Sequence, residues 1–230
     1  MFFWNKNKIA IYTAIFGGRD TLINPGHKIK NADLFCFTDN PANKNKYFKT
    51  IIRKPTHSDP NRSAKKYKVL GDKILDKYDY LIWVDGNMLI KFDDAEKVVQ
   101  ECLPTQEHYI AFMKHPDGRN CIYEEYEFIK SNNYNERFDK QIIMDNQIQK
   151  YRLENYPKNN GLIAGGFIVK DNTSEDMHEL MNAWWNEIEN HSRRDQLSFN
   201  YIAWKSKKSY NVIDKVYWDN DFIRVGLFHS

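Results

Sequence analysis

The chain has 230 residues, of which 41% are hydrophobic, 28% are charged and 15% are aromatic. This length is enough to bury one large hydrophobic core, and the composition is that of a globular domain rather than of a disordered chain. The formal net charge of +3 is too small to indicate nucleic-acid binding by itself, and no segment approaches the roughly 18 apolar residues of a membrane span. We therefore expect a single domain over residues 1–230.

Cysteine usage and the first residues predict where the protein is found. Cys36, Cys102 and Cys121 form neither a disulfide framework nor a C-x-x-C zinc motif, which favours a reducing compartment. The opening MFFW is too short for the core of a signal peptide. We expect a cytoplasmic protein, with any membrane contact peripheral and at the inner face.

Three strands are predicted near the start of the chain. Residues 8–16, KIAIYTAIF, are β-branched and aromatic and end at two glycines. Residues 33–39 and 47–53 have the same character, and the first of these segments ends on Asp39. Such runs bounded by turn residues are typical of buried strands.

A helix is predicted after the third strand, because Asp59 can cap it and Pro60 can occupy the first helical position. Apolar residues recur at steps of three and four along this segment: Tyr67, Leu70, Ile74 and Tyr78. This spacing predicts one buried helix face. The following YLIWV, residues 80–84, is apolar throughout and predicts a strand that is covered on both sides.

The second half of the chain adds two strands, at 108–115 and 161–170, and further helices. The polar segment 119–155 is helix-prone, with three apolar residues on one face: Met144, Ile148 and Tyr151. Thr173 and Asp176 resemble a capping box before an amphipathic helix whose apolar stripe is Met177, Leu180, Met181, Trp184 and Ile188. A last helix is predicted to begin near Asp195.

The alternation of strands and helices indicates an α/β fold with a mixed, mostly parallel sheet flanked by helices. Ligands of such sheets bind beyond the carboxyl ends of the strands. Polar residues follow the strand at 80–84, where Asp85 and Asn87 flank a glycine that lets the backbone turn sharply. Their oxygens can converge on Mg²⁺ or Mn²⁺, although such an ion would need further ligands from water and phosphate. A polar turn that closes the strand is the simpler interpretation of the tripeptide alone.

Basic residues are concentrated between Lys44 and Lys68, where nine of them accompany a single acid. Within this segment Arg62, Lys65 and Lys66 have the i, i+3, i+4 spacing of one helix face. Arginine forks onto phosphate oxygens, lysine adds a point charge, and the start of a helix favours anions. The three residues are therefore candidate diphosphate ligands, with a solvated basic helix face as the alternative.

Other candidate residues are ambiguous. Gly165 and Gly166 interrupt a strand, which indicates either a close approach by a ligand or a bulge. Residues 115–125 are rich in polar side chains, including Glu124 and Glu125, and suit an acceptor pocket or a salt-bridged loop.

Asp195 and His229 each have two interpretations. Asp195 can cap its helix or act as a catalytic carboxylate, and capping is the more economical interpretation. His229 is the penultimate residue, where side chains are usually frayed and idle.

Seven segments in this order resemble one group of enzymes: IYTAIFGGRDTL, FTDN, RSAKKYK, YLIWVDGNM, HPDGRNCIYEE, GLIAGGFIVKDN and RRDQLSFNY. The chain thereby resembles the GT-A-type glycosyltransferases. More narrowly it is similar to the glycosyltransferase-like family named for plant turgor-defect and mucilage-related (TOD/MUCI) proteins, which has bacterial members. Each segment alone is weak evidence, whereas seven in order are specific.

The resemblance implies a GT-A-like fold and particular site residues. A D-x-D motif at Asp85 and Asn87 would hold Mn²⁺ or Mg²⁺ against the diphosphate of a nucleotide sugar, with His229 as a further ligand. The amide at Asn87 departs from this motif and weakens the expectation of strict metal dependence. The nucleotide base and ribose would be bordered by Thr13, Ala14, Phe16 and Asp39.

The reaction implied by the resemblance is displacement of a nucleoside diphosphate by a glycan or glycolipid acceptor, with metal and basic side chains stabilising the leaving group. An inverting enzyme needs a carboxylate base, for which Asp195, Glu124 and Glu125 are candidates, whereas a retaining enzyme does not need one there.

Three alternatives are weaker. A catalytically silent nucleotide-sugar-binding module of the same fold would explain Asn87. A nucleotidyltransferase would need a glycine-rich loop with Thr-Arg after the first strand, and this sequence does not contain one. No recognisable module supports a nucleic-acid partner.

Overall fold

The computed structural model describes residues 7–132 and 139–226. Its strands are β1 (Ile9–Ile15), β2 (Ala32–Thr38), β3 (Lys49–Ile52), β4 (Tyr80–Val84), β5 (Met88–Ile90), β6 (Ile110–Lys114), β7 (Ile163–Asp171), β8 (Asn211–Ile213) and β9 (Ile223–Val225). Its helices are α1 (Pro60–Leu70), α2 (Ala95–Cys102), α3 (Ile122–Ser131), α4 (Gln141–Leu153), α5 (Glu175–Asn190) and α6 (Phe199–Ser206). Short 3₁₀ turns lie at Lys73–Leu75 and Asp195–Leu197.

A seven-stranded sheet of order β3-β2-β1-β4-β7-β6-β8 forms the centre of the molecule. Strands β1 to β4 pair in parallel, and β8 is parallel to β6. Strand β7 is antiparallel to both of its neighbours, β4 and β6. Strands β5 and β9 form a separate two-stranded antiparallel ribbon. The predicted mixed, mostly parallel sheet is confirmed, as are the strands predicted at its centre.

Both faces of the sheet are covered because successive residues of a strand point to opposite sides. Along β1, Ala10, Tyr12 and Ala14 belong to one hydrophobic cluster, which includes residues of α1 and of α3 to α6. The alternate residues of β1 belong to a second cluster with α2: Ile9, Ile11 and Ile15. In the part of the chain that the structure describes, no helix has the length and apolarity to cross a membrane.

Helix α1 is shorter than its apolar spacing predicts. It begins as expected, with Asp59 accepting a hydrogen bond from the Asn61 amide (3.0 Å) and Pro60 in the first position. It ends at Leu70, because Gly71 has a φ of 75° and donates its amide to the Tyr67 carbonyl (2.8 Å). The prediction that Ile74 and Tyr78 continue the buried face of this helix was wrong, since both lie beyond its end.

The helices of the second half are close to their predicted positions. The predicted face of α4 is buried, as is the stripe of α5: Met177, Leu180, Met181, Trp184 and Ile188. The cap of α5 is Ser174, whose hydroxyl accepts the Met177 amide (3.3 Å), and not the predicted pair. Thr173 instead donates its hydroxyl to Asp171 (2.7 Å). The last predicted helix consists of a 3₁₀ turn and then α6.

Strand β7 carries a buried lysine. Lys170 is 1% exposed, and its ammonium donates to the carbonyls of Lys68 (2.9 Å) and Val69 (3.0 Å) at the end of α1. The Tyr12 hydroxyl donates to the same Lys68 carbonyl (3.0 Å). Burial, with a smaller contribution from the charge of Lys68, lowers the pKa of Lys170 to about 7.

We expect this lysine to make the stability of the fold depend on pH. Between pH 7 and the unfolded-state pKa of about 10.4, the unfolded chain binds a proton at Lys170 that the folded chain does not bind, so raising the pH favours the folded state. From about pH 7.5 to 9.5, the free energy of unfolding of the natural protein should rise by up to about 1.4 kcal/mol per pH unit more than that of Lys170→Met.

Urea denaturation of the two proteins at both pH values measures this difference. Groups that titrate alike in the two proteins cancel in the comparison. Equal slopes for both proteins would show that Lys170 stays protonated in the folded state.

Candidate functional site

The turn between β4 and β5 places Asp85 at the carboxyl end of the sheet. The Asp85 amide donates to the Gly166 carbonyl (2.9 Å), and the Met88 amide closes the turn on the Asp85 carbonyl (3.0 Å). Gly86 permits this turn to lie against β1, because a Cβ at that position would be 2.9 Å from the side chain of Ile15. The neighbouring strands β7 and β1 thus fix the backbone of this turn.

The carboxylate of Asp85 is oriented by two neighbours. Its Oδ1 accepts a hydrogen bond from Trp83 Nε1 (2.7 Å) and lies 3.7 Å from Lys68 Nζ. Its Oδ2 lies 3.3 Å from where a Cβ of Gly166 would be. The side chain is 34% exposed, so a fixed and accessible carboxylate stands at the end of β4.

Two lysines of α1 meet one carboxylate beside Asp85. Lys65 Nζ lies 2.7 Å from Asp195 Oδ2, and Lys68 Nζ donates to the same oxygen. We call Lys65, Lys68 and Asp195 the lysine–aspartate cluster. Gly165 makes room for it, since a Cβ there would lie 2.8 Å from Lys68 Nζ and 2.9 Å from Asp195 Oδ2.

The members of the cluster shift one another's pKa: burial lowers the pKa of Lys65, although Asp195 opposes this effect. Burial would raise the pKa of Asp195, but the ammonium groups of Lys65 and Lys68 together lower it well below its usual range. Burial would likewise lower the pKa of Lys68, yet Asp195 and Asp85 raise it. Asp195 is a poor proton acceptor in this environment, and it begins a 3₁₀ turn rather than capping a helix. The structure favours a third role for it, that of counter-ion.

The other two basic residues predicted to bind phosphate point elsewhere. Arg62 donates to the carbonyls of Ile188, Glu189 (3.2 Å) and His191 (3.1 Å), and so satisfies the end of α5. Lys66 lies over the ring of Trp185, 5.8 Å from its centroid. Of the predicted trio, the structure brings only Lys65 to Asp195. Lys68, which sequence reasoning did not single out, takes the place beside it.

The predicted nucleotide-border residues in β1 and directly after it are buried. Ala14 and Phe16 belong to the core, where the Phe16 ring packs against Tyr67 at 5.2 Å. Thr13 is 2% exposed, and its hydroxyl has no hydrogen-bond partner within the described residues. None of these three side chains offers an open face to a base.

Asp39 ties the loop after β1 to the end of β2. Both of its oxygens accept the amide of Gly17 (3.1 and 3.2 Å). Gly17 has a φ of 62°, and a Cβ there would lie 2.6 Å from Pro60, so this loop also packs against the start of α1. The ends of β1, β2 and β4 and the start of α1 therefore share one edge of the sheet.

The two glutamates predicted as alternative bases differ in environment. Glu125 is buried and is held by Arg119 (2.9 Å) and Arg194 (2.7 Å), with His115 Nε2 at 3.6 Å. Burial lowers the pKa of His115, against the opposing effect of Glu125. Glu124, its neighbour on α3, is exposed. The loop that begins at His115 is thus salt-bridged to Glu125 in the first turn of α3.

Tyr217 is a site residue that sequence reasoning missed. A Cβ at Gly166 would collide with its hydroxyl and with Met88, so the glycine permits Tyr217 to lie against β7. Burial raises the pKa of Tyr217, and the charges of Asp85 and Asp195 raise it further. Its segment between β8 and β9 has no helical or strand spacing, and no pattern in the sequence singles it out.

The predicted metal ligands make only part of a coordination shell. Asp85 and Asn87 lie on the same turn, whereas His229 lies outside the described residues. Within residues 7–132 and 139–226, no group of three or more His, Cys, Asp or Glu side chains could hold a metal ion. One carboxylate and one amide suit Mg²⁺ or Mn²⁺ when phosphate and water supply the other oxygens.

A cavity of about 540 Å³ lies at the other end of β1 and β2. Its lining includes Lys8, Asp33, Lys77 and Tyr78, near the amino ends of these strands. Ligands of open α/β sheets bind at the carboxyl ends, and the predicted polar residues gather there. We therefore place the candidate site at Asp85 and not at this cavity.

Comparison with known proteins gives a family and a fold. The model of a family described as TOD1/MUCI70, glycosyltransferase-like domain matches residues 3–225. Among solved structures, the apo structure of the WbbM bifunctional glycosyltransferase is similar, with a TM-score of 0.54 and 11% sequence identity. The similarity covers 94% of this chain and 40% of the WbbM chain, so the chain spans less than half of that structure. No curated protein sequence matched.

Proposed function

Because the chain belongs to the TOD1/MUCI70 glycosyltransferase-like family, we propose that it transfers a sugar from a nucleotide-diphosphate sugar to a glycan or glycolipid acceptor. The observation that carries this proposal is the position of Asp85. It is a partly exposed carboxylate at the carboxyl end of a central strand, oriented by Trp83, with Lys68 Nζ 3.7 Å from its Oδ1. Open α/β sheets bind their ligands at this position.

The residues around Asp85 suit a diphosphate. Gly165 lets the lysine–aspartate cluster lie against β7 next to this carboxylate, and so places basic side chains beside it. Asp85 and Asn87 are the described residues that would hold Mn²⁺ or Mg²⁺, and the ion would supply positive charge opposite the departing diphosphate. The Lys65 side chain, which pairs with Asp195, would add a positive charge that does not depend on a bound metal ion.

The catalytic base and the location of the protein in the cell remain predictions. Asp195 and Glu125 are buried and each is paired with two basic side chains, whereas Glu124 is exposed. An inverting reaction would therefore use Glu124 in preference to the other two. The cytoplasmic location and the peripheral membrane contact expected from the sequence also remain predictions.

A second candidate function is a silent binding module that holds a nucleotide sugar without transferring the sugar. Asn87 favours it, because an amide in place of a carboxylate contributes no negative charge toward a metal ion. Both candidates predict binding of the same ligand, and only the first predicts turnover.

Calorimetric titration with UDP, GDP and CMP, each with and without Mn²⁺, tests the proposed donor site. We expect one of these nucleotides to bind, and to bind more tightly when Mn²⁺ is present, because the ion would connect its phosphate groups to Asp85. Failure of all three nucleotides to bind under either condition would contradict the proposal. Once the base is known, hydrolysis of the corresponding nucleotide sugars without acceptor would distinguish an active enzyme from a silent module.

A further inference from the structure

We propose that the lysine–aspartate cluster is a built-in cationic centre for the donor diphosphate, in which Lys65 leaves Asp195 to contact the phosphate while Lys68 stays. This inference rests on the donor site proposed above. The contact of Lys65 with the phosphate needs no divalent ion. Asp195 serves to hold the two lysines in place.

The charge balance of the cluster supports this role. Two lysines share one oxygen of one carboxylate, so the cluster carries one positive charge in excess when both lysines are protonated. That excess lies next to Asp85, whose Oδ1 is 3.7 Å from Lys68 Nζ. The positive charge of the cluster offsets the negative charge with which Asp85 would otherwise repel a diphosphate.

The two lysines differ in their freedom to move. The side chain of Lys68 is 1% exposed and is held by Asp195 and by the nearby Asp85, whereas that of Lys65 is 25% exposed. Among the described residues, Asp195 is the one carboxylate within ion-pair distance of Lys65. When Lys65 leaves, Asp195 keeps Lys68, so no buried carboxylate is left without a partner.

The local sequence also fits a contact with phosphate. Lys65 and Lys68 are three residues apart on α1, so they lie side by side on one helix face. The loop after β1 packs on the first residue of this helix, which brings the lysines to the edge of the sheet where Asp85 lies. Lysine carries a compact charge on a flexible stem, which suits a group that exchanges one anionic partner for another.

Inorganic pyrophosphate in the presence of EDTA tests the inference, because this probe does not depend on the identity of the base. We expect the natural protein to bind pyrophosphate without metal, and Lys65→Met to bind it roughly 10- to 100-fold more weakly, as is typical for loss of one charge-assisted hydrogen bond. Lys65→Arg, which keeps the charge, should bind more tightly than Lys65→Met.

Lys97→Met is the matched control, since it removes one lysine from the exposed face of α2. It should bind pyrophosphate as the natural protein does, and thermal unfolding would verify that all the variants are folded. If pyrophosphate does not bind in EDTA, or if Lys65→Met binds as well as Lys97→Met, the inference is wrong. If a nucleotide still binds with Mn²⁺ in that case, the proposed function stands without it.

Discussion

Replacing Asp85 by asparagine is expected to lower the rate of sugar transfer by roughly 100- to 1,000-fold, which is the typical loss when one group that stabilises developing charge is removed. Asparagine keeps the shape of the side chain and can still accept the hydrogen bond from Trp83. It removes the negative charge that would bind the metal ion. Because the Asp85 side chain is partly exposed, the fold should tolerate the change.

The measurement is the steady-state rate with the donor identified by nucleotide titration, together with a thermal unfolding curve. Asp214→Asn is a suitable control, since the Asp214 side chain is exposed and its ion pair with Lys114 is long at 3.4 Å. This control should keep the natural rate. A folded Asp85→Asn protein with more than about a tenth of the natural rate would contradict the assignment of Asp85 to the reaction.

Replacing Asp195 by alanine is expected to lower the free energy of unfolding by about 3–5 kcal/mol, the usual cost of breaking a buried ion pair. The change leaves Lys68 buried with only the more distant Asp85 to balance its charge. Lys65 can turn toward solvent, so most of the cost comes from Lys68. Urea denaturation at neutral pH measures the loss.

A double variant separates the lost ion pair from a general packing defect. Asp195→Leu combined with Lys68→Met replaces the charged pair by apolar side chains, which is often neutral or stabilising at buried sites. We expect this double variant to be more stable than Asp195→Leu alone. A double variant as unstable as the single one would show that the charge of Lys68 is not what makes Asp195 necessary.

The central elements of the fold could be predicted because their patterns are strong. The buried strands β1, β2 and β4 are continuous β-branched or aromatic runs that end in polar or glycine residues. Helix α2 was missed although Asp94 caps it and its buried residues have helical spacing. The three-residue strands β5, β8 and β9 are too short to show a period.

Part of the candidate site could be predicted and part could not. Asp85 follows a strand with a clear apolar pattern. Because ligands of open α/β sheets bind beyond the carboxyl ends of the strands, Asp85 could be predicted as a candidate site residue. Arg62 was assigned to phosphate because helical spacing shows which residues share a face, but not that the carbonyls at the end of α5 lie opposite that face. Lys68 was overlooked because lysine is rarely buried, and its main partner in the interior, Asp195, is 127 residues away in sequence.

The place of β7 in the sheet has a consequence for biosynthesis. This strand lies between β4 and β6, yet it comes after both of them along the chain. A nascent polypeptide that has left the ribosome only as far as residue 162 has two strands with unfilled edges, and such edges invite pairing with other chains. We infer that β7 must be synthesised before β4 and β6 can be joined in one sheet, and that products truncated before Ile163 will aggregate.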